Sequence, residues 1–288
     1  MISIGHTTIV RELETLLRAS EVPQSFLFDG PRHVGKRTVA LWFAQGLMGE
    51  GPKGMPQADL FILEPEQARG TKKKREQLIQ VESIREAQKF LALSPVGGRR
   101  RVLIIDGAEK LGMGAANALL KLLEEPPEKS CILLLTAEPG LLLPTIQSRV
   151  VSFHFRPVPG EVIRQSIPEA ELLPQFFTDL GLPGLVRTAL TDEQHFLYQK
   201  EVLRQLFQLS KLSWRERLML AEELAQDERA AREFLEIWCT GLVFQVRQKT
   251  GSLARHYIFL EQLLKTLKSL SRGEGAARPL LEKLFFSL

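Results

Sequence analysis

The chain has 288 residues, 44% hydrophobic and 25% charged, a soluble globular composition with material for two or three domains. A formal charge of +4 and a pI of about 9.1 permit nucleic-acid contact without requiring it. No stretch approaches the roughly 18 uncharged apolar residues of a membrane span. Met1 leads into Ile2-Ser3-Ile4-Gly5 and not into a charged start with a long apolar run, so no signal peptide is expected and the location expected is cytosolic. Cys131 and Cys239 stand far apart with no zinc-ligand spacing and read as small buried hydrophobes in a reducing compartment.

In chain order, Leu13, Leu16 and Leu17 lie at helical spacing and predict a helix over 9–18. The apolar run at 25–28 predicts a buried strand feeding a glycine turn, followed by a helix over 38–48. A Gly/Pro-rich loop covers 49–56, a strand 60–63, and a basic run 69–75 reads as a loop. A helix is expected over 84–93. Residues 101–106 form a near-continuous apolar strand that ends in an acid. The helix at 115–125 is stopped by Pro126-Pro127. Strands follow at 131–136 and 150–155. Short apolar strands alternating with helices predict an α/β fold, a parallel sheet covered on both faces. Beyond Pro157-Val158-Pro159 the pattern turns helical, with helices expected over 197–212, 214–226, 230–249, 254–270 and 276–286.

The chemistry begins at Gly30-Pro31-Arg32-His33-Val34-Gly35-Lys36, which fits G-x-x-x-x-G-K between a strand and a helix. Gly30 and Gly35 let the backbone N–H groups curl toward phosphate oxygens, the helix adds its positive end, and Lys36 reaches the outer phosphates. The next residue, which in this motif offers a hydroxyl to magnesium, is Arg37. Thr38 follows, but one step along a helix turns a side chain by about 100°. Asp106, at the end of its strand, stands where such folds hold the metal shell, and the water-orienting acid expected next is Gly107. Glu109, three residues past Asp106, is not placed in the site by the sequence. The candidate nucleotide residues are thus Gly30, Gly35, Lys36, Arg37, Thr38 and Asp106. Binding of ATP or ADP is expected to be weak or absent, with no metal site and little hydrolysis.

The segment Ala115-Ala116-Asn117-Ala118-Leu119-Leu120-Lys121-Leu122-Leu123-Glu124-Glu125-Pro126-Pro127 resembles a signature of bacterial clamp-loader subunits of the AAA+ class. Ser148-Arg149-Val150 resembles their Ser-Arg-Cys motif with Val150 in place of the cysteine. Val81-Glu82-Ser83-Ile84-Arg85, Leu27-Phe28-Asp29-Gly30-Pro31 and Arg278-Pro279-Leu280-Leu281-Glu282 fit as well. The resemblance implies an AAA+ P-loop core over 1–156, a small helical lid over 157–205 and an all-α collar over 206–288. It implies partnership with motor ATPase and delta-like subunits in a hetero-pentamer that places a sliding clamp on primed DNA, with no membrane involved. Of the family's two kinds of subunit, motor and catalytically defective, Arg37 and Gly107 fit the defective kind. The resemblance makes Arg149 an arginine finger acting in trans on a neighbour's ATP, a role suited to a permanently charged bidentate fork. It also makes Thr136 a sensor residue near the γ-phosphate and Arg187, in Gly184-Leu185-Val186-Arg187, a second sensor. The cysteine-bound zinc module that many members carry is missing from 49–59, so no zinc is expected. Two other readings stay open: an active motor of the same assembly, and a stand-alone nucleotide-binding module.

Overall fold

The computed structural model describes residues 4–19, 21–49, 58–65, 78–96, 99–247, 253–272 and 275–287. The basic run around Lys72–Arg75 and most of the 49–59 loop lie outside these residues. The described chain divides into two compact units, 1–170 with 181–185, and 171–180 with 186–288.

The first unit runs α1 (Thr7–Arg18), β1 (Ser25–Asp29), α2 (Lys36–Met48), β2 (Leu60–Leu63), α3 (Val81–Leu91), β3 (Arg101–Asp106), a 3-10 turn (Ala108–Lys110), α4 (Met113–Glu124), β4 (Ser130–Thr136), a second 3-10 turn (Pro139–Leu141), α5 (Pro144–Gln147), β5 (Val151–His154) and α6 (Gly160–Ser166). Its strands form one parallel sheet in the order β2-β3-β4-β1-β5. Side chains alternate across a strand, and the apolar runs divide accordingly. Leu27, Leu103, Ile105, Ile132 and Leu134 pack with Ile84, Leu119 and Leu123 of α3 and α4 on one face. Phe26, Phe28, Val102, Ile104, Leu133 and Leu135 pack with Leu13, Val39 and Phe43 of α1 and α2 on the other. Both faces being covered, the central strands need apolar residues at every position, which is why they read as continuous runs. Cys131 lies in the second cluster, fully buried, and loss of hydration pushes its thiol up to about 12.

At the amino end of the sheet a charged pair is folded inward. Arg101 and Asp59 are both buried, 3.5 Å apart. Arg101 also donates to the carbonyls of Ser94 and Phe90 and lies over the Phe90 ring, while Asp59 accepts from the Val96 amide. The guanidinium is thereby surrounded by acceptors, as a buried charge must be.

The second unit contains α7 (Gln175–Asp179), most of α8 (Pro183–Thr191), α9 (Glu193–Gln208), α10 (Trp214–Ala225), α11 (Glu228–Arg247), α12 (Leu253–Arg272) and α13 (Ala277–Phe285). Its core gathers Val202, Leu206, Phe234, Leu235, Trp238, Phe259, Leu263, Leu281 and Phe285. Trp238 is fully buried between aromatic neighbours, and its indole N–H donates to the Val202 carbonyl at 2.9 Å, so the ring's one polar group is satisfied. Ser213 and Glu216 form a reciprocal capping box at the start of α10. Among the described residues no helix is long and apolar enough to cross a membrane.

Candidate functional site

The site forms where the carboxyl ends of β1, β2, β3 and β4 meet the amino end of α2. At the end of β1 the backbone must turn sharply. Gly30 has φ +141°, and a Cβ there would lie 2.2 Å from the Phe155 carbonyl oxygen, so no larger residue fits. His33 takes φ +61° and Gly35 φ +111°, which together curl the loop into the first turn of α2. The loop is tied down from outside. The His33 carbonyl accepts from the Gly184 amide at 2.8 Å, and His6 Nε2–H donates to the Val34 carbonyl at 2.9 Å while its ring packs at a tilt against Phe155. Burial lowers the His6 pKa, which favours the neutral ring.

Lys36 opens α2 and folds back over the loop, its ammonium donating to the carbonyls of Gly30 (2.7 Å) and Pro31 (2.8 Å). Desolvation lowers its pKa to about 8, against the opposing pull of Glu109 and Asp106. Arg37 turns to the strand ends. Its Nη1 donates to Asp106 Oδ2 at 3.1 Å and forms an ion pair with Glu64. β2 and β3 are parallel with Leu63 level with Ile105, so Glu64 and Asp106, each one step further, stand side by side. Burial raises the Asp106 pKa and Arg37 works against that rise. Thr38, one residue on, is exposed on α2.

Glu109 belongs to this cluster, contrary to its omission from the sequence reading. Gly107 takes φ +85°, the 3-10 turn of Ala108–Lys110 follows, and Glu109 is carried back to β4. There Glu109 Oε2 accepts from the Thr136 hydroxyl at 2.8 Å, and the same hydroxyl oxygen accepts from the Glu138 amide. Gly30, Gly35, Lys36, Arg37, Asp106 and Thr136 are thus brought to one place, and Glu64 and Glu109 join them. Glu64 carried a faint signal in the sequence, an acid closing an apolar strand as Asp106 does.

Two candidates remain. Arg187 is exposed in the second unit. Arg149 follows α5 on the surface of the first. Its Nη2 pairs with Glu124 Oε1 at 2.8 Å, and its Nη1 donates to the Thr145 carbonyl and the Ser148 hydroxyl. The guanidinium is about a third exposed and is held by Glu124, the end of α4. Among the described residues no cluster of three or more His, Cys, Asp or Glu side chains is arranged to hold a metal.

The family described as "DNA polymerase III, delta subunit" matches residues 5–159, more than half of the chain. The chain is 33% identical over 199 residues to the DNA polymerase III subunit tau/gamma of Haemophilus influenzae, covering 65% of this chain and 28% of that protein. It is 34% identical over 151 residues to the subunit delta' of Pseudomonas aeruginosa, covering 47% and 44% respectively. The match therefore spans less than half the length of either relative. Among solved structures, a gamma-subunit-related protein of Thermotoga maritima superposes with a TM-score of 0.58 at 22% identity, covering 96% of this chain and 97% of that one. This likeness carries the fold alone, a parallel-sheet α/β core followed by helices.

Proposed function

Because the chain belongs to the DNA polymerase III delta-subunit family, clamp-loader-related proteins of DNA replication, we propose that it is a non-hydrolysing, delta-prime-like subunit of a clamp loader. In this reading it sits in a cytoplasmic hetero-pentamer with motor and delta-like subunits, supports ATP-dependent placement of the sliding clamp on primed DNA, and lends Arg149 to the ATP site of a neighbour. Its core, lid and collar correspond to 1–156, 157–205 and 206–288. Nucleotide, ATP or ADP, is held weakly between Lys36, Thr136 and the phosphate loop, with Arg187 as a vestigial contact.

The observation that carries the reading is the Arg37 guanidinium set between Asp106 and Glu64. Hydrolysis at a P-loop relies on a metal held by a hydroxyl and an acid, together with a group that positions water. Here the hydroxyl is replaced by a cation, the acid is engaged by that cation, and the residue after the acid is Gly107. Arg149 is suited to the trans role because its present partner, Glu124, is half exposed. Such a pair is worth roughly 0–1 kcal/mol, little enough to yield to a phosphate.

ATP turnover by the reconstituted complex with clamp and primed DNA tests this. Arg149→Ala is expected to lower turnover at the adjoining motor site by roughly a hundredfold or more, since arginine fingers carry about 10³–10⁵, while Lys36→Ala changes turnover little.

One observation favours a second reading, the active motor. Glu109 faces the site beside Lys36 and hydrogen-bonds Thr136, and an acid in that position serves water activation. Magnesium-dependent turnover by the isolated chain, abolished by Lys36→Ala and by Glu109→Gln, is the result that would establish the motor and remove the scaffold.

A further inference from the structure

Magnesium is the metal this fold class uses beside its phosphate loop, and the residues here do not fit it. A magnesium ion demands near-octahedral oxygen ligands at about 2.0–2.1 Å and binds through a carboxylate or two, waters and substrate phosphates. The hydroxyl position is Arg37, a permanent cation with no acceptor atom. The acid position, Asp106, already accepts from that cation at 3.1 Å. Glu64, the carboxylate on the neighbouring strand end, is paired with the same Nη1. The arrangement is built by the sheet. β2 and β3 run level, so two carboxylates project side by side from adjacent strand ends, and α2 delivers Arg37 from its first turn directly opposite. A cation at a helix amino terminus is disfavoured by the helix dipole, and the two carboxylates offset that penalty. They also need a cation, since two like charges side by side repel.

We propose that Arg37 is a built-in counter-ion taking magnesium's place, so that this phosphate loop accepts a nucleoside di- or triphosphate as the metal-free anion. This rests on the nucleotide-site reading above and adds to it the form in which the nucleotide is taken. Metal-free nucleotide lacks the ion that bridges β- and γ-phosphates, which matches a site that holds and does not hydrolyse. Arg37 then determines metal preference, while Lys36 and the loop amides recognise phosphate.

The test is equilibrium binding of a fluorescent ADP analogue, mant-ADP, to the full chain, once in EDTA and once in excess magnesium chloride. The wild-type chain is expected to bind several-fold more weakly in excess magnesium chloride than in EDTA, because the ion ties up the free nucleotide the site takes. Arg37→Thr restores a hydroxyl and frees Asp106, and its binding is expected to tighten about tenfold or more when magnesium is added, a difference of about 1.4 kcal/mol. Arg37→Gln removes the charge while keeping most of the side-chain length, and is expected to shift in the same direction if the threonine variant folds poorly. Wild-type binding that is unchanged or tighter in magnesium overturns the inference and leaves the nucleotide site standing, as does failure of both variants to tighten when magnesium is added. Absence of binding in both buffers overturns the nucleotide reading itself, and this inference with it.

Discussion

Lys36 shows what the fold does to a single charge. Its pKa falls from 10.5 to about 8 because burial strips water from the ammonium faster than Glu109 and Asp106 can compensate. The folded state therefore holds this proton less tightly than the unfolded chain. The contribution to stability is fully present above 10.5 and is lost as pH falls through about 8. Lys36→Met, which carries no charge, is expected to resist urea better than the wild type at pH 7, with the advantage shrinking between about pH 8 and 10.5; an advantage independent of pH would show that desolvation is not its source. Gly30 is constrained by space and by backbone. With φ +141° and the Phe155 oxygen 2.2 Å from any Cβ, Gly30→Ala is expected to cost roughly 1–3 kcal/mol in urea unfolding. The Asp59–Arg101 pair is costly to break. Asp59→Ala leaves a buried guanidinium short of its acid and is expected to cost roughly 3–5 kcal/mol.

At the scale of elements, caps and registers decide. Ser213 accepts from the Glu216 amide, and Glu216 reaches back to the Ser213 amide, so both donors at the start of α10 are satisfied. Ser213→Ala is expected to cost about 1 kcal/mol by calorimetry, and an unchanged midpoint would mean water replaces the cap without loss. The strands at 60–63 and 101–106 were legible in the sequence residue for residue, because burial on both faces or on an edge leaves short apolar runs bounded by loops. The phosphate loop was legible because its glycines are spaced by chemistry. Helix starts were less so. α3 begins at Val81, ahead of the expected 84, and α9 begins at Glu193, ahead of 197. In α9 the start is set by Asp192, whose side chain accepts from the His195 amide, a local signal outweighed by the apolar spacing further on. Glu64 and Glu109 were hard to place for a different reason. Glu64 enters the site through the pairing of β2 with β3, and Glu109 through its hydrogen bond to Thr136 on β4, and neither relation is encoded in residues near it alone.

At the scale of the whole molecule there are two units, and each has one free thiol. Cys131 lies fully buried in the sheet unit, and Cys239 lies partly buried in the helical unit, where loss of hydration raises its pKa to about 11. Neither is a reactive thiolate in the native state, so thiol labelling during denaturation reads each unit separately. Trp238→Ala removes the largest buried side chain and is expected to cost roughly 3–5 kcal/mol in its own unit. Cys239 should then become reactive at lower urea. A Cys239 labelling midpoint that does not move would show that the indole contributes less than its burial implies.

The burial of Trp238 also has an optical consequence. An indole enclosed by Phe234, Phe285 and Phe259 emits at short wavelength and is out of reach of acrylamide. Trp214, two-thirds exposed at the first turn of α10, emits to the red and is readily quenched. The helical unit thus carries its own reference lamp beside its own sensor. With Trp42 of the sheet unit replaced by Phe, any molecule that settles over the start of α10 is reported as a blue shift and a loss of quenching from Trp214, against the constant light of Trp238.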